Sequence, residues 1–285
     1  MFKIVDKKTL SAVNKLMVIE APLVARKVQP GQFIILRTCE NGERIPLTVA
    51  DSDKEKGTIT IIFQEIGKTT KELGMMEVGD SLRDFVGPLG QPMEMPKAGS
   101  GARVVAVGGG VGIAPIYPKV KALHEAGLEV ISIIGARTAE LLILEDEMRA
   151  VSDELYICTD DGTKGLHGFV SDLLQPLLDD KSKKIEEIIA VGPLVMMRVV
   201  VNQTRPYGIK TMVSLNPIMV DGTGMCGCCR VNVGNETKFS CVDGPVFDGH
   251  QVDFNVLMRR SQTYLEEEKQ SLEKFEHECR CGGGK

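Results

Sequence analysis

The chain has 285 residues, 43% of them hydrophobic, with 30 Gly and a formal net charge of -5. That length supports two domains and a small appendage, and the composition fits a turn-rich α/β or β protein while excluding a collagen-like one. The near-balanced charge without a long basic block argues against nucleic acid as a partner, and the longest apolar run, 104–116, is broken by four Gly and is no membrane span. Residues 1–30 lack the apolar core and small-residue cleavage site of a signal peptide, so the expected location is cytoplasmic.

In chain order, residues 1–7, 13–21, 32–38, 47–52 and 58–64 are aliphatic or alternating runs separated by Gly, Pro and Asp turns. They predict short strands of a small antiparallel barrel, a first domain over 1–97. From residue 102 the pattern becomes strand (104–107), glycine loop, helix (116–126) and strand (130–135). Further strands at 154–159, 187–191 and 210–215, with helices between, predict an open parallel sheet of five strands over 98–216. Segment 217–251 has little periodicity and much Gly and Cys, as expected where a cofactor rather than a core holds the chain. Residues 252–285 predict a charged C-terminal helix, with Leu257, Tyr264, Leu265, Leu272 and Phe275 near one face, ending in a frayed tail that carries Cys279 and Cys281.

Of the eight Cys, five fall in two short segments after residue 225, with Cys241 between them. In an intracellular chain this clustering reads as metal binding rather than as disulfides. The stretch Asp221-Gly-Thr-Gly-Met-Cys226-Gly-Cys228-Cys229, eleven residues and then Cys241, looks like the C-x4-C-x2-C…C loop of a [2Fe-2S] site with Asp221 in the first ligand's place. Cys226, Cys229 and Cys241 are the candidate thiolates. The fourth donor is Asp221 or Cys228; a tight turn disfavours aiming adjacent Cys228 and Cys229 inward together, so a Cys3Asp set is expected. Structural zinc competes for the Cys226-x2-Cys229 pair, though only a lone His250 follows to complete such a site.

Four further motifs come in order: Arg44-Ile-Pro46-Leu47-Thr48; Gly67-Lys68-Thr69-Thr70 with Gly87-Pro-Leu-Gly90; Gly108-Gly109-Gly110-Val-Gly112-Ile-Ala114-Pro115; and Val191-Gly192-Pro193. In order and spacing they resemble the ferredoxin–NADP reductase superfamily through residue 215. That resemblance implies an FAD-binding β-barrel followed by an NAD(H)-binding α/β domain. Arg44 would pair with the FAD pyrophosphate through its planar fork, Pro46 and Leu47 would belong with it to the strand that holds FAD, and Thr48 would stand near flavin N5. Gly67, Lys68, Thr69 and Thr70 would offer helix-start donors to the same pyrophosphate. Gly108, Gly109 and Gly110 permit a tight turn, and Gly112 permits close approach of a dinucleotide to a helix start that continues through Ala114 and Pro115. Gly192 and Pro193 would complete the nicotinamide site, with Val191 where many members have Cys, and Arg137 and Asp160 would flank the adenosine half. NAD against NADP stays open, since no ribose-binding acid or 2′-phosphate Arg is evident.

A cluster loop behind such a module resembles the electron-transfer subunit of dihydroorotate dehydrogenase. The run from Cys241 to Phe254 with its long tail narrows this toward the small (alpha) subunits of NADH-dependent reduced ferredoxin:NADP oxidoreductases, also described as sulfide dehydrogenase beta subunits. The resemblance implies hydride transfer from NADH to FAD and single-electron export through the cluster, with no general acid or base. It also implies a heterodimer with a larger flavoprotein carrying FAD, [4Fe-4S] clusters and an NADP(H) site, which would reach ferredoxin and bifurcate electrons. A dihydroorotate dehydrogenase subunit, a hydrogenase diaphorase subunit and, in another class, a zinc-stabilised regulatory module are the alternatives.

Overall fold

The computed structural model describes residues 2–96 and 102–281, with side chains to 277. The expected strand start at Met1, the 97/98 boundary, the side chains of Cys279 and Cys281 and the tail's last residues lie outside the described residues.

The first half folds as β1 (Phe2–Thr9), β2 (Asn14–Glu20), α1 (Pro22–Ala25), β3 (Phe33–Arg37), β4 (Ile45–Asp53), β5 (Thr58–Gln64), α2 (Lys68–Met75), β6 (Ser81–Leu82) and β7 (Asp84–Leu89). Its strands form one antiparallel, nearly closed barrel sheet in the order β6-β1-β2-β5-β4-β3-β7. Ile4, Met17, Ile19, Ile34, Leu36, Ile59, Ile61 and Phe63 alternate inward to make its core, which is why the period-2 pattern reads clearly. The five expected strands are all present. The barrel gains β6 and β7, the first too short to carry a pattern and the second interrupted by Gly87-Pro88.

The second half runs β8 (Arg103–Gly109), α3 (Ile113–Glu125), β9 (Glu129–Ala136), α4 (Glu145–Ala150), β10 (Glu154–Thr159), β11 (Leu166–His167), α5 (Val170–Asp179), β12 (Ile185–Val191), α6 (Leu194–Thr204) and β13 (Lys210–Ser214). After it come β14 (Arg230–Val233), β15 (Glu236–Phe239), α7 (Ser240–Asp243), β16 (Val246–Asp248), α8 (Phe254–Arg260) and α9 (Leu265–Cys281). The sheet order is β11-β10-β9-β8-β12-β13-β16, parallel except for β16 against β13. The chain leaves β8 toward β9 on one side and returns to β12 on the other. That reversal opens a crevice at the carboxyl ends of β8 and β12, where doubly wound sheets bind ligands.

Three expectations need correction. The sheet has seven strands rather than five, because two-residue β11 and the late strand β16 join it. Segment 217–251 has more regular structure than its weak periodicity implies: it holds the β14–β15 hairpin, whose two-residue loop Gly234-Asn235 with Gly234 at φ +60° is a turn signal the sequence did carry. The tail is two helices. Between them the Ser261 and Thr263 hydroxyls donate back to the carbonyls of Met258 and Arg260, competing with helix continuation. The expected common face is accordingly broken: Leu257 is buried, whereas Tyr264 and Leu265 are exposed.

Candidate functional site

Strand alternation sorts the Arg44–Thr48 motif into two faces. Ile45 and Leu47 pack into the barrel core, so Leu47 offers a ligand only its backbone. Pro46 and Thr48 point outward beside Ile35 and Phe33, their cross-strand partners on β3. Arg44, on the same outer side, donates from Nε to the Val220 carbonyl (2.8 Å) and from Nη2 to that of Asp221 (3.2 Å).

At the start of α2, the Thr70 hydroxyl accepts from the backbone N–H of Gly67 (3.0 Å), so this residue caps its own helix. Buried Thr69 donates to the Glu43 carboxylate. A methyl group added at Gly67 would meet nothing within 4 Å. A helix start with small residues, room above it and an arginine nearby fits an anionic diphosphate such as that of FAD.

The glycine loop and the Gly-Pro pair meet at the crevice. Gly108 is in register with Val191, and a methyl on Gly112 would lie 2.3 Å from the Val191 carbonyl oxygen and 2.7 Å from Gly192 Cα. One on Gly109 would strike Met196 Sδ at 2.3 Å, while Gly110, at φ +56°, has nothing within 4 Å. Three glycines therefore serve different ends: two let α3 close on β12 and α6, and Gly110 leaves space for a ligand at the helix start. Pro193 caps α6, Pro115 is half-buried and Ala114 turns into the core. Arg137 and Asp160 are exposed at the ends of β9 and β10, joined through the Asp160 N–H to the Ala136 carbonyl (3.1 Å).

The cluster loop rests on the outer face of the barrel. Phe33 and Ile35 form a small core with Met219, Cys229 and Cys241. The loop touches down at Gly222, φ +87°, where a methyl would come within 2.7 Å of Ile35 Cδ1 and 2.9 Å of Leu89 Cδ1. Sequence reasoning missed Phe33 and Ile35 as site residues. The signal was the unbroken apolar run 33–36, expected of a strand covered on both faces.

Within the loop the Sγ atoms of Cys229 and Cys241 lie 3.1 Å apart, and the Cys241 N–H donates to Cys229 Sγ (3.4 Å). Burial, then the neighbouring Cys229 thiol, pushes Cys241 up to about 12. A thiol so placed ionises only with a compensating positive charge such as a metal. The backbone N–H groups of Cys228 and Asp221 hold exposed Cys226 below its ordinary value, and Cys228, hydrogen-bonded to Cys226, is raised. The Asp221 carboxylate accepts from the Thr223 hydroxyl and N–H, which lower its pKa. Among the described residues no three acidic, His or Cys side chains are gathered tightly enough to hold a single metal ion. Soft thiol donors with N–H groups aimed at them, on one turn, fit an iron–sulfur cluster. Arg260 Nη2 donates to the Cys228 carbonyl (3.0 Å), tying the loop to α8.

Comparison with known proteins agrees with this division. Residues 106–202 match the oxidoreductase NAD-binding domain, and 216–253 match the iron–sulfur cluster binding domain of dihydroorotate dehydrogenase B. A chain of the NADH-dependent reduced ferredoxin–NADP oxidoreductase, solved in work on flavin-based electron bifurcation, superposes with a TM-score of 0.90 at 45% identity, covering 96% of this chain and 98% of that one. The ferredoxin reductase of carbazole 1,9a-dioxygenase, 19% identical with a TM-score of 0.62 over 73% of this chain and 65% of that one, shares the fold. Fold and site together define an NAD(P)H-linked flavin and iron–sulfur oxidoreductase subunit that transfers electrons.

Sequence relatives carry this further. A homologue of the dihydroorotate dehydrogenase B (NAD(+)) electron transfer subunit from Thermotoga maritima is 48% identical over 90% of this chain and 89% of its own length. The Bacillus caldolyticus electron transfer subunit is 34% identical over 81% of this chain and 89% of its own length, and an uncharacterised protein of Clostridium beijerinckii is 50% identical over 100% and 98%. The chain belongs to the family of dihydroorotate dehydrogenase B electron-transfer subunits and their homologues, within the ferredoxin–NADP reductase superfamily. FAD, NAD(H) and an iron–sulfur cluster are its cofactors. No helix among the described residues is long and apolar enough to cross a membrane.

Proposed function

We propose that this chain is the small subunit of an electron-bifurcating NADH-dependent ferredoxin:NADP oxidoreductase, working in the cytoplasm with a larger FAD- and [4Fe-4S]-bearing flavoprotein through which ferredoxin is reached. The observation that carries this reading is the seating of the cluster loop on the barrel face that bears Thr48: Phe33 pairs with Thr48 across the strands and packs in one small core with Cys229 and Cys241. Bound FAD supplies conversion between a two-electron hydride and single electrons, which the cluster passes on.

The chain's own residues do the positioning. Arg44, Gly67, Lys68, Thr69 and Thr70 hold the FAD diphosphate, and Thr48 sets the flavin edge. Gly110, Gly112, Gly192 and Pro193 bring the nicotinamide to that edge, with Arg137 and Asp160 beside the adenosine half. Cys226, Cys229 and Cys241 ligate the cluster, with Asp221 as fourth donor. Divisions near 97, 216 and 251 separate flavin, nucleotide, cluster and tail segments, with β16 shared between the cluster segment and the nucleotide sheet.

Anaerobic titration of the isolated holo-protein with NADH and NADPH, followed by electron paramagnetic resonance, tests this reading. Bleaching of the flavin by NADH and a reduced [2Fe-2S] signal are expected; a colourless preparation with stoichiometric zinc refutes the reading. Identification of the co-purifying large subunit separates it from a dihydroorotate dehydrogenase or a hydrogenase. Asp221→Ala is expected to alter the reduced cluster's spectrum, and an unchanged spectrum assigns the fourth ligand elsewhere.

A further inference from the structure

Arg44 does more than its motif implies. Its side chain crosses from the barrel to the start of the cluster loop, 176 and 177 residues away in sequence, and two of its N–H groups end on consecutive backbone carbonyls, those of Val220 and Asp221. The next residue, Gly222, is where the loop is pressed onto Ile35 and Leu89. The guanidinium thus closes the turn that presents Asp221, at the point where that turn meets the barrel. Asp221 itself spends its carboxylate on Thr223. Among the described hydrogen bonds, Arg44 is the barrel's side-chain donor to this turn.

A guanidinium offers five N–H donors in one rigid plane. The loop takes the Nε hydrogen and one on Nη2, leaving the Nη1 hydrogens and the second on Nη2 for another acceptor. A diphosphate suits such an edge, since paired oxygens accept parallel, charge-assisted bonds. Lysine, a point charge on a flexible stem, cannot hold two acceptor sets in one plane.

We infer that Arg44 is a shared positioning residue, fixing the first turn of the cluster loop with one edge and the FAD diphosphate with the other, so that flavin anchorage and cluster environment are linked through one side chain. This rests on the proposed flavin and cluster sites. The residue touches no reacting atom. It sets where the cluster's first donor sits relative to the barrel that carries the flavin, and the link runs both ways.

The test uses the full-length holo-protein and two readouts: FAD affinity by equilibrium dialysis, and the spectrum and midpoint potential of the reduced cluster. Arg44→Lys is expected to weaken FAD binding by roughly tenfold or more, the loss of a charge-assisted bond, and to shift the cluster signal while iron content holds. Lys68→Ala, at the α2 start, is expected to weaken FAD binding and, once FAD is raised to saturation, to leave the cluster signal as in the wild type. Gly222→Ala approaches from the other side: by lifting the turn off Ile35 and Leu89 it is expected to lower FAD affinity although Gly222 faces the barrel rather than α2.

An unchanged cluster signal in Arg44→Lys overturns the inference. So does a Lys68→Ala protein whose cluster, at saturating FAD, shifts as much as that of Arg44→Lys, because the effect then does not run through the Arg44 side chain. If Arg44→Lys does not fold, Gly222→Ala decides: a shifted cluster with unaltered FAD affinity sinks the linkage. A wild-type preparation without flavin or cluster signal refutes the proposed function instead, so the two failures are distinguishable.

Discussion

The glycine loop between β8 and α3 and the cluster loop after β13 are both turn-rich cofactor segments, yet they are held in different ways. The first is boxed in by its own domain. Gly112 sits against the Val191 carbonyl, Gly109 against Met196, and the helix that follows buries Ile113, Ala114 and Ile116 at once. The second has no regular structure between β13 and β14 and is tied down by remote groups: Arg44 from the barrel, Arg260 from α8, and Ile35 and Leu89 beneath Gly222. Packing dictates the shape of the first loop; remote ties dictate that of the second.

The sharpest way to break this contrast is to remove a buried thiol. Cys229→Ser and Cys241→Ser each take a soft donor from the small core shared with Phe33 and Ile35. Loss of the cluster signal and of amide-exchange protection over 219–243 is expected, while the barrel and nucleotide sheet keep their protection. Exchange that rises across the whole chain would mean that the cluster loop is no more independent than the glycine loop.

A smaller effect follows from methyl groups placed in each loop. Gly112→Ala drives a Cβ into backbone atoms of Val191 and Gly192, which have no room to give, and is expected to cost roughly 2–3 kcal/mol and to slow reduction by NADH. Gly227→Ala, at φ +67° with Phe239 at 3.7 Å as its nearest neighbour, is expected to cost only about 1 kcal/mol of backbone strain. Chemical denaturation of both variants checks the ordering, and equal losses would erase the distinction.

The packing around α3 is firm enough to carry a penalty. Lys119 is fully buried, its Nζ has no hydrogen-bond partner among the described residues, and burial pulls its pKa down to about 8 from an ordinary 10.5. The folded value lies below the unfolded one, so in that window the unfolded chain binds the extra proton and stability rises with pH. The penalty is full below the window, on the order of 3 kcal/mol from a shift of that size. Lys119→Met is therefore expected to stabilise the protein at neutral pH by roughly 1–3 kcal/mol and to flatten the rise through the lysine range. Denaturation of both proteins at neutral pH and above the ordinary lysine range is the measurement; a destabilised Lys119→Met means that the amine has a partner the fold depends on.

The same contrast explains what was legible in the sequence. Residues 103–125 announce strand, turn and helix because each local preference agrees with the packing, and Gly112 is needed for a reason its neighbours impose. The barrel strands show through alternation, but β6 is too short to carry a period, and the union of β16 with β13 depends on a contact some thirty residues away. The cysteine spacing marks the cluster loop without saying which side chains converge, since orientation in a turn held from outside is not written in the turn. The motif at Arg44 implies a phosphate ligand by resemblance, whereas its grip on Val220 and Asp221 is not legible, because nothing local relates those positions. The tail reads as one helix because Ser261 and Thr263 stop it through hydrogen bonds rather than through Gly or Pro.

The smallest effect is expected where that tail meets the barrel. Lys71 on α2 pairs with Glu276 on α9, each side chain a little over one-third exposed, and pairs of that kind contribute less than about 1 kcal/mol. Arg260, one helix earlier, instead donates to a carbonyl inside the cluster loop. Glu276→Gln is thus expected to shift the melting temperature slightly and leave cluster content unchanged, whereas Arg260→Ala loosens Cys228 and shortens the cluster's lifetime under a chelator. If Glu276→Gln shortens that lifetime as much as Arg260→Ala does, the loop is held through the tail as a whole, and α2, the helix assigned to FAD, becomes a second route by which the flavin site senses the cluster.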